Sequence, residues 1–272
     1  MRVTLLGTGD TTGTPTAGCD CDTCERARSE GVERTRFSVH VENEDTGESL
    51  LIDASPDFRH QFVRSRAPLP DACLITHIHF DHLDGLGNTY RVVDSLPTYA
   101  ADETDPRTDE SVADTVERKY DYLDAVRVHP QTPFEPFSVC GFDVTLVPVE
   151  HPPLVCYGLT IEKDGTKLAL TGDTNYALPE ASRERLRDAD LLLADGIVPA
   201  RLCEHHPIGG NHHDDEGVPR TFGTKHMTRE GALDLAADLS ASETRLVHTA
   251  HFSPAEEAFE EPLAVDGEQF LL

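Results

Sequence analysis

Short apolar runs and alternating apolar–polar stretches recur along the chain: VTLLGT, FSVHVE, SLLIDA, ACLITH, FDVTLVPVEH, YGLTIE, KLALTGD, DLLLADG and TRLVHTAH. Their length, leucine and β-branched content and flanking Gly, Asp and Pro predict strands. Between two of them, EKDGTK is a hairpin signal, with Asp164 and Gly165 at the two positions that require positive φ. The wider apolar spacing of DFRHQFVRS, SVADTVERKY, PEASRERLRD and TREGALDLAADL predicts helices. The last of these opens at Thr228 as N-cap, with Glu230 in its first turn. Strands and helices alternate, so the expected class is α/β, and residues 1–272 are read as a single domain. The stretch CEHHPIGGNHHDDEGVPRTFGTK, residues 203–225, has no period and is expected to be a long loop.

Composition narrows the setting. Fifty acidic residues against 23 basic ones give a formal charge of −27, and only Lys119, Lys163, Lys167 and Lys225 are lysines. The acids are spread through every predicted element rather than gathered in a tail, the pattern of a salt-adapted, halophilic surface. Such a surface repels phosphate backbones and argues against a general nucleic-acid binder. No apolar run is long enough for a membrane span, and the first residues lack the pattern of an export signal, so the expected location is the cytoplasm. Seven cysteines in that compartment point to metal ligation more than to disulfides.

The densest chemical signal is LITHIHFDHLDGL, in which His77, His79, Asp81 and His82 follow directly on an apolar strand. Alternation puts His77 and His79 on one side of extended backbone, and Asp81 and His82 come where the chain turns into the next helix. Two divalent ions need further ligands, and three more residues occupy comparable strand ends: His151, Asp173 and His248. A carboxylate can bridge two ions while neutral imidazoles fill terminal positions, so the whole set reads as a binuclear site suited to Zn or Mn.

The series HxHxDH, a lone strand-end His, the Asp of TGDT and a final His resembles the metallo-β-lactamase superfamily over essentially the whole chain. That resemblance implies a four-layer αβ/βα sandwich with metals at one edge. It also implies that His77, His79 and His151 hold one ion, that Asp81, His82 and His248 hold the second, and that Asp173 bridges them. KHMTREGALDLA places His226 at the head of a predicted helix, where it resembles the extra catalytic histidine of the phosphodiesterase branch. Asp81 and His226 are the expected catalytic pair, Asp81 orienting the attacking water and His226 serving the leaving group.

CDCDTC near the start has the CxCxxC spacing of a zinc knuckle, and Cys19, Cys21 and Cys24 can surround one tetrahedral structural zinc if a fourth ligand arrives. Two candidates for that ligand are His251 and Cys203, and His251 is favoured because it lies three residues past His248. CxCxxC with a late HxxH is similar to the family of phosphoribosyl 1,2-cyclic phosphate phosphodiesterases of the carbon–phosphorus lyase pathway. The resemblance implies a small, cyclic phosphodiester substrate, the same catalytic set and a homodimer. Rival readings are a tRNA 3′-end processing endonuclease, a thioesterase or lactonase of the same superfamily, and a non-catalytic cofactor-biosynthesis protein resembling pyrroloquinoline quinone protein B. The first would need a basic arm, and no Lys or Arg cluster offers one; the last typically carries a degraded metal motif, which here is intact. GTGDTTG has the wrong spacing for a dinucleotide loop. Cys73, Cys140 and Cys156 read as small core residues; His205, His206, His212 and His213 could bind substrate or adventitious metal, but in a loop crowded with acids they are not expected to be catalytic.

Overall fold

The computed structural model describes residues 1–272. The first half runs β1 (Arg2–Gly7), α1 (Asp22–Glu30), β2 (Ser38–Glu42), β3 (Ser49–Ile52), α2 (Phe58–Ser65), β4 (Ala72–Ile75), α3 (Phe80–Leu83), β5 (Leu96–Ala101), α4 (Val112–Tyr120) and β6 (Val126–Gln131). The second runs β7 (Phe137–Val139), β8 (Phe142–His151), β9 (Leu154–Lys163), β10 (Thr166–Leu170), α5 (Glu180–Leu186), β11 (Leu191–Asp195), β12 (Gly210–His213), β13 (Pro219–Phe222), β14 (His226–Met227), α6 (Arg229–Asp238), β15 (Glu243–Val247) and β16 (Gln269–Leu271).

Seven strands form one sheet in the order β16-β1-β2-β3-β4-β5-β6, and six form a second in the order β15-β11-β10-β9-β8-β7. Each sheet is antiparallel on one side and parallel on the other. Strand alternation assigns the layers. Leu168, Leu170, Leu191 and Leu193 join Val3, Val39, Leu51 and Leu74 in the main core, while Ala169, Leu192, Ala194 and Leu246 turn the other way. That outer face packs on Leu186 of α5 and on Ala232, Leu235 and Ala236 of α6. Phe58 and Phe62 of α2 and Val112 and Val116 of α4 pack with the first sheet. The result is the four-layer αβ/βα sandwich. Strands covered on both faces must be apolar at nearly every position, which is why LLLAD shows no alternation.

The hairpin between β9 and β10 turns on Asp164 (φ 52°) and Gly165 (φ 82°), as its sequence demands. Residues 203–225 depart from the expected long loop. Ala200–His205 forms 3₁₀ turns, and β12, β13 and β14 make a separate three-stranded antiparallel sheet. Its strands carry mostly polar side chains, so no apolar alternation announces them; backbone pairing between neighbours holds them instead. Strands β5 and β6 also escape the apolar pattern, because LPTYAA is rich in Pro and Ala and VRVHPQ is a half-exposed edge strand carrying Pro130.

Direction positions the chemistry. Strands β8, β10, β11 and β15 run the same way and end at one edge of their sheet, carrying His151, Asp173, Asp195 and His248 at or just past their carboxyl ends. In the other sheet β3 and β4 are parallel and deliver Asp53, His77 and His79 past their own carboxyl ends.

Candidate metal centre and active site

His77, His79, His151 and Asp173 bring ligand atoms to within 4.8 Å of one another, and so do Asp81, His82 and His248. Within the first group His79 Nδ1 lies 3.0 Å from His77 Nε2 and 3.3 Å from His151 Nε2. Asp173 Oδ2 stands between the groups, 3.7 Å from His77 Nε2 and 3.3 Å from the Nε2 atoms of both His82 and His248. Asp81 Oδ2 lies 3.6 Å from His82 Nε2 and 3.5 Å from His248 Nε2. All seven residues expected as ligands from sequence therefore converge, with Asp173 standing between the two groups.

Donor chemistry fits cations at both positions. Nε2 of His82 and Nε2 of His248, the nitrogens turned to Asp81 and Asp173, are buried without a hydrogen-bond partner, a costly condition for a polar atom that a metal ion would relieve. Burial holds His77 well below the usual imidazole range and pushes His151 down to about 3, so both are neutral, as ligation requires. Burial opposes a proton on His82 and His248 too, but the Asp173 carboxylate outweighs it and both are raised, His248 to about 9. The carboxylates thus favour positive charge where the second group converges, and a cation there would have to displace the proton from these rings.

Two residues that the sequence reading passed over orient the ring nitrogens. Asp53, fully buried at φ 57°, accepts from His82 Nδ1 at 2.6 Å and from the backbone N and Oγ1 of Thr76, both at 2.8 Å. Asp195, equally buried, pairs its Oδ2 with His226 Nδ1 at 2.8 Å and accepts from Thr174 N at 3.0 Å. His151 Nδ1 lies 3.1 Å from the Lys225 carbonyl. Each contact leaves Nε2 facing the cluster, the role that outer hydrogen bonds to carboxylate or carbonyl usually play around ligating histidines. Their sequence signal is the same strand-end position: Asp53 and Asp195 end SLLID and DLLLAD, at the same edges as His77, Asp173 and His248.

His226 is not at the head of a helix. It sits in β14, α6 begins three residues later after Thr228, whose side chain caps Gly231 N, and the short strand is held by pairing of His226 with Phe222. Its ring stacks on His248 at 4.9 Å and 11° and meets His151 edge-on at 4.8 Å. Placement beside the cluster comes from the strand and from Asp195, not from a helix terminus.

Some distance along the chain, the three thiols meet His251. Cys19 and Cys21 Sγ each lie 3.4 Å from His251 Nδ1, and Cys24 Sγ lies at 3.5 Å. Tetrahedral zinc at ordinary Zn–S and Zn–N lengths requires roughly 3.6 Å between such atoms. Cys203, the other candidate, is elsewhere, with its Sγ near the Thr221 carbonyl at 3.8 Å. Burial opposes ionisation of Cys21, but hydrogen bonds from the Cys24 backbone and His251 prevail and bring it down to about 7. Cys21 caps the start of α1, a helix that the sequence reading did not anticipate. The set joins that helix to the segment just after β15.

The sequence profile of the beta-lactamase superfamily domain matches residues 48–249. An octanoyltransferase of Porphyromonas gingivalis is 30% identical over 265 residues, which are 93% of this chain and 47% of that protein; the chain thus spans about half its length. Coenzyme PQQ synthesis protein B of Methylobacterium radiotolerans is 28% identical over 298 residues, covering 93% of this chain and 91% of the relative. Among solved structures, a diphosphatase from the PhnP family superposes with a TM-score of 0.78 at 28% identity, covering 100% of this chain and 97% of its own. Zinc-bound PqqB from Methylobacterium extorquens reaches 0.77 at 24% identity over 100% of both chains, a likeness of fold. The short form of human tRNase Z reaches 0.67 at 18% identity over 100% of this chain and 99% of its own, also a likeness of fold.

Proposed function

Because this chain belongs to the metallo-β-lactamase superfamily, we propose that it is a metal-dependent phosphoric diester hydrolase acting on a small phosphodiester. A cyclic sugar ester such as phosphoribosyl 1,2-cyclic phosphate is the example that the sequence resemblance suggests. One observation carries the reading: His226, anchored through Nδ1 to buried Asp195, lies against His151 and His248 with Nε2 free for a substrate oxygen. The PhnP-family diphosphatase, similar across the whole chain, supports phosphoryl chemistry.

His77, His79 and His151 would hold one divalent ion, Asp81, His82 and His248 a second, and Asp173 both; Zn and Mn suit these donors. Ions there would polarise a phosphoryl oxygen and acidify water. Asp81, buried at the cluster and held down to about 2 by His248 and His82 despite burial, stays an acceptor that orients the attacking water. His226 donates from Nε2 to the departing alkoxide, and the Asp195 carboxylate stabilises the cationic ring from which that proton leaves. Cys19, Cys21, Cys24 and His251 would hold a structural zinc away from the reaction.

The same reading places the enzyme in the cytoplasm as a homodimer, with a small phosphorylated substrate as its partner. Seven free cysteines support a reducing compartment, and no helix is long and apolar enough to cross a membrane. A charge of −27 speaks against RNA as substrate. Acyl transfer is not carried over from the octanoyltransferase, of which the chain spans less than half. Purified, metal-analysed protein in high salt is to be assayed on bis(p-nitrophenyl) phosphate and on a thioester. Phosphodiester turnover is expected; thioester turnover alone, or neither, overturns the proposal.

A further inference from the structure

The segment between β11 and α6 builds more than a connection. Its 3₁₀ turns and small sheet enclose a cavity of about 390 Å³ lined by Val198, Leu202, His205, His206, Pro207, Phe222 and Phe252. No carboxylate lines it, although 50 of the chain's residues are acidic. A volume of this order suits a small-molecule site.

Its position ties it to the catalytic side chains. Phe222 pairs directly with His226 across β13 and β14, and directly opposed residues project on the same face of an antiparallel pair. Thr221 and Met227, the neighbouring pair, are buried, so Phe222 and His226 share the opposite, partly open face. Val198 bridges to Thr228, two residues past His226, and Phe252 follows the thiol-facing His251.

The walls are aromatic and half open. His206 meets Phe222 edge-on at 4.7 Å, and its ring occupies the space over Gly223 where a Cβ would come within 2.6 Å. Phe252 is 58% exposed with its ring 4.0 Å from that of His251. An exposed phenylalanine beside an apolar slot, with His205 and His206 at the rim each keeping one ring nitrogen beyond its contact to Glu204 or Ile208 N, matches what a planar heteroaromatic ring requires: stacking on its face and hydrogen bonds at its edge.

We propose that this cavity is a subsite for the nucleobase of a nucleoside phosphoester, presented so that the phosphorus reaches the cluster beside His226. The inference rests on the phosphodiesterase reading and, within it, favours nucleotides over base-free sugar esters such as phosphoribosyl 1,2-cyclic phosphate. The test compares thymidine 5′-(p-nitrophenyl) phosphate with methyl p-nitrophenyl phosphate, which share a leaving group and differ in the base-bearing part. Binding of adenosine 5′-monophosphate to the metal-loaded protein is measured calorimetrically in parallel.

The expected result is a kcat/KM at least tenfold higher for the thymidine ester, carried in KM. Phe252→Ala should collapse the ratio between the two esters toward one and weaken nucleotide binding by a similar factor, while Phe252→Tyr preserves both. Metal content and circular dichroism confirm that each variant is folded. Equal turnover of both esters in the parent protein, with no nucleotide binding, overturns the subsite and leaves the hydrolase reading intact. Hydrolysis of neither ester with Phe252-dependent nucleotide binding does the reverse. A concentration-dependent dimer that dissociates in Phe252→Ala, with an unchanged ester ratio, assigns the cavity to a second copy of the chain and also overturns it.

Discussion

Asp195 Oδ2 and His226 Nδ1 lie 2.8 Å apart across 31 residues of chain, and the carboxylate in this pair is fully buried while the imidazole opens toward the cluster of His and Asp residues. A buried acceptor fixes the ring's tautomer and aims Nε2 outward, so the pair acts as one unit.

His226→Ala is therefore expected to lower kcat by about 10²–10⁴, the range for loss of a positioned acid, while metal content stays at the parent value. Asp195→Asn should lower kcat by less and in the same direction. Steady-state kinetics and elemental analysis of the same preparations check both, and full activity in the alanine variant removes His226 from the reaction.

Asp53 holds His82 in register from a backbone conformation at φ 57° that Asn tolerates nearly as well as Asp. Asp53→Asn should keep the fold and weaken binding of one divalent ion by roughly 10–100-fold. Competition with a chromogenic chelator measures it; parental affinity would show that the contact to His82 is passive.

Cys21→Ser should remove one metal and leave two, out of about three per chain in the parent protein. A fall in Tm of at least ~5 °C is expected, the order that accompanies a loss of about 2 kcal/mol in a chain of this size. Loss of activity with all three metals retained would contradict a structural role for the thiols.

His40 reports on acid stability away from the metals. It is buried in β2, edge-on to Phe62, with Nε2 unpartnered, and burial pushes its pKa down from 6.5 to about 4. Below pH 6.5 the unfolded chain gains a proton that the folded one refuses, so this contribution to stability is complete above 6.5 and is lost progressively toward pH 4. The loss approaches about 3 kcal/mol. His40→Gln, neutral throughout, should flatten the dependence in urea unfolding between pH 7 and pH 4; an identical slope discards the assignment.

With a formal charge of −27, Tm should climb as sodium chloride is raised from tens of millimolar to molar, because the ions screen self-repulsion. A Tm independent of salt would count against salt adaptation.

What could be read along the chain was whatever short-range spacing encodes. HxHxDH needs only a strand end and a turn to bring four donors together, CxCxxC brings three thiols together over six residues, and strands buried on both faces declare themselves by composition. His151, Asp173 and His248 were legible because each ends an apolar run. Pairing across long separations decided the rest. Asp53 and Asp195 look like any strand-end aspartates until the sheets bring them against His82 and His226, 29 and 31 residues away. His226 is legible as the residue just ahead of a helix that opens at Thr228, but only the tertiary structure shows that it is held in a strand against Phe222. The polar strands of residues 203–225 had no apolar period to betray them, since backbone hydrogen bonds carry no side-chain signature. Local spacing and periodicity thus determined the strands and the candidate ligand residues, and the resemblance supplied the layers, while the partners that orient those residues, and the cavity beside them, exist only once distant strands meet.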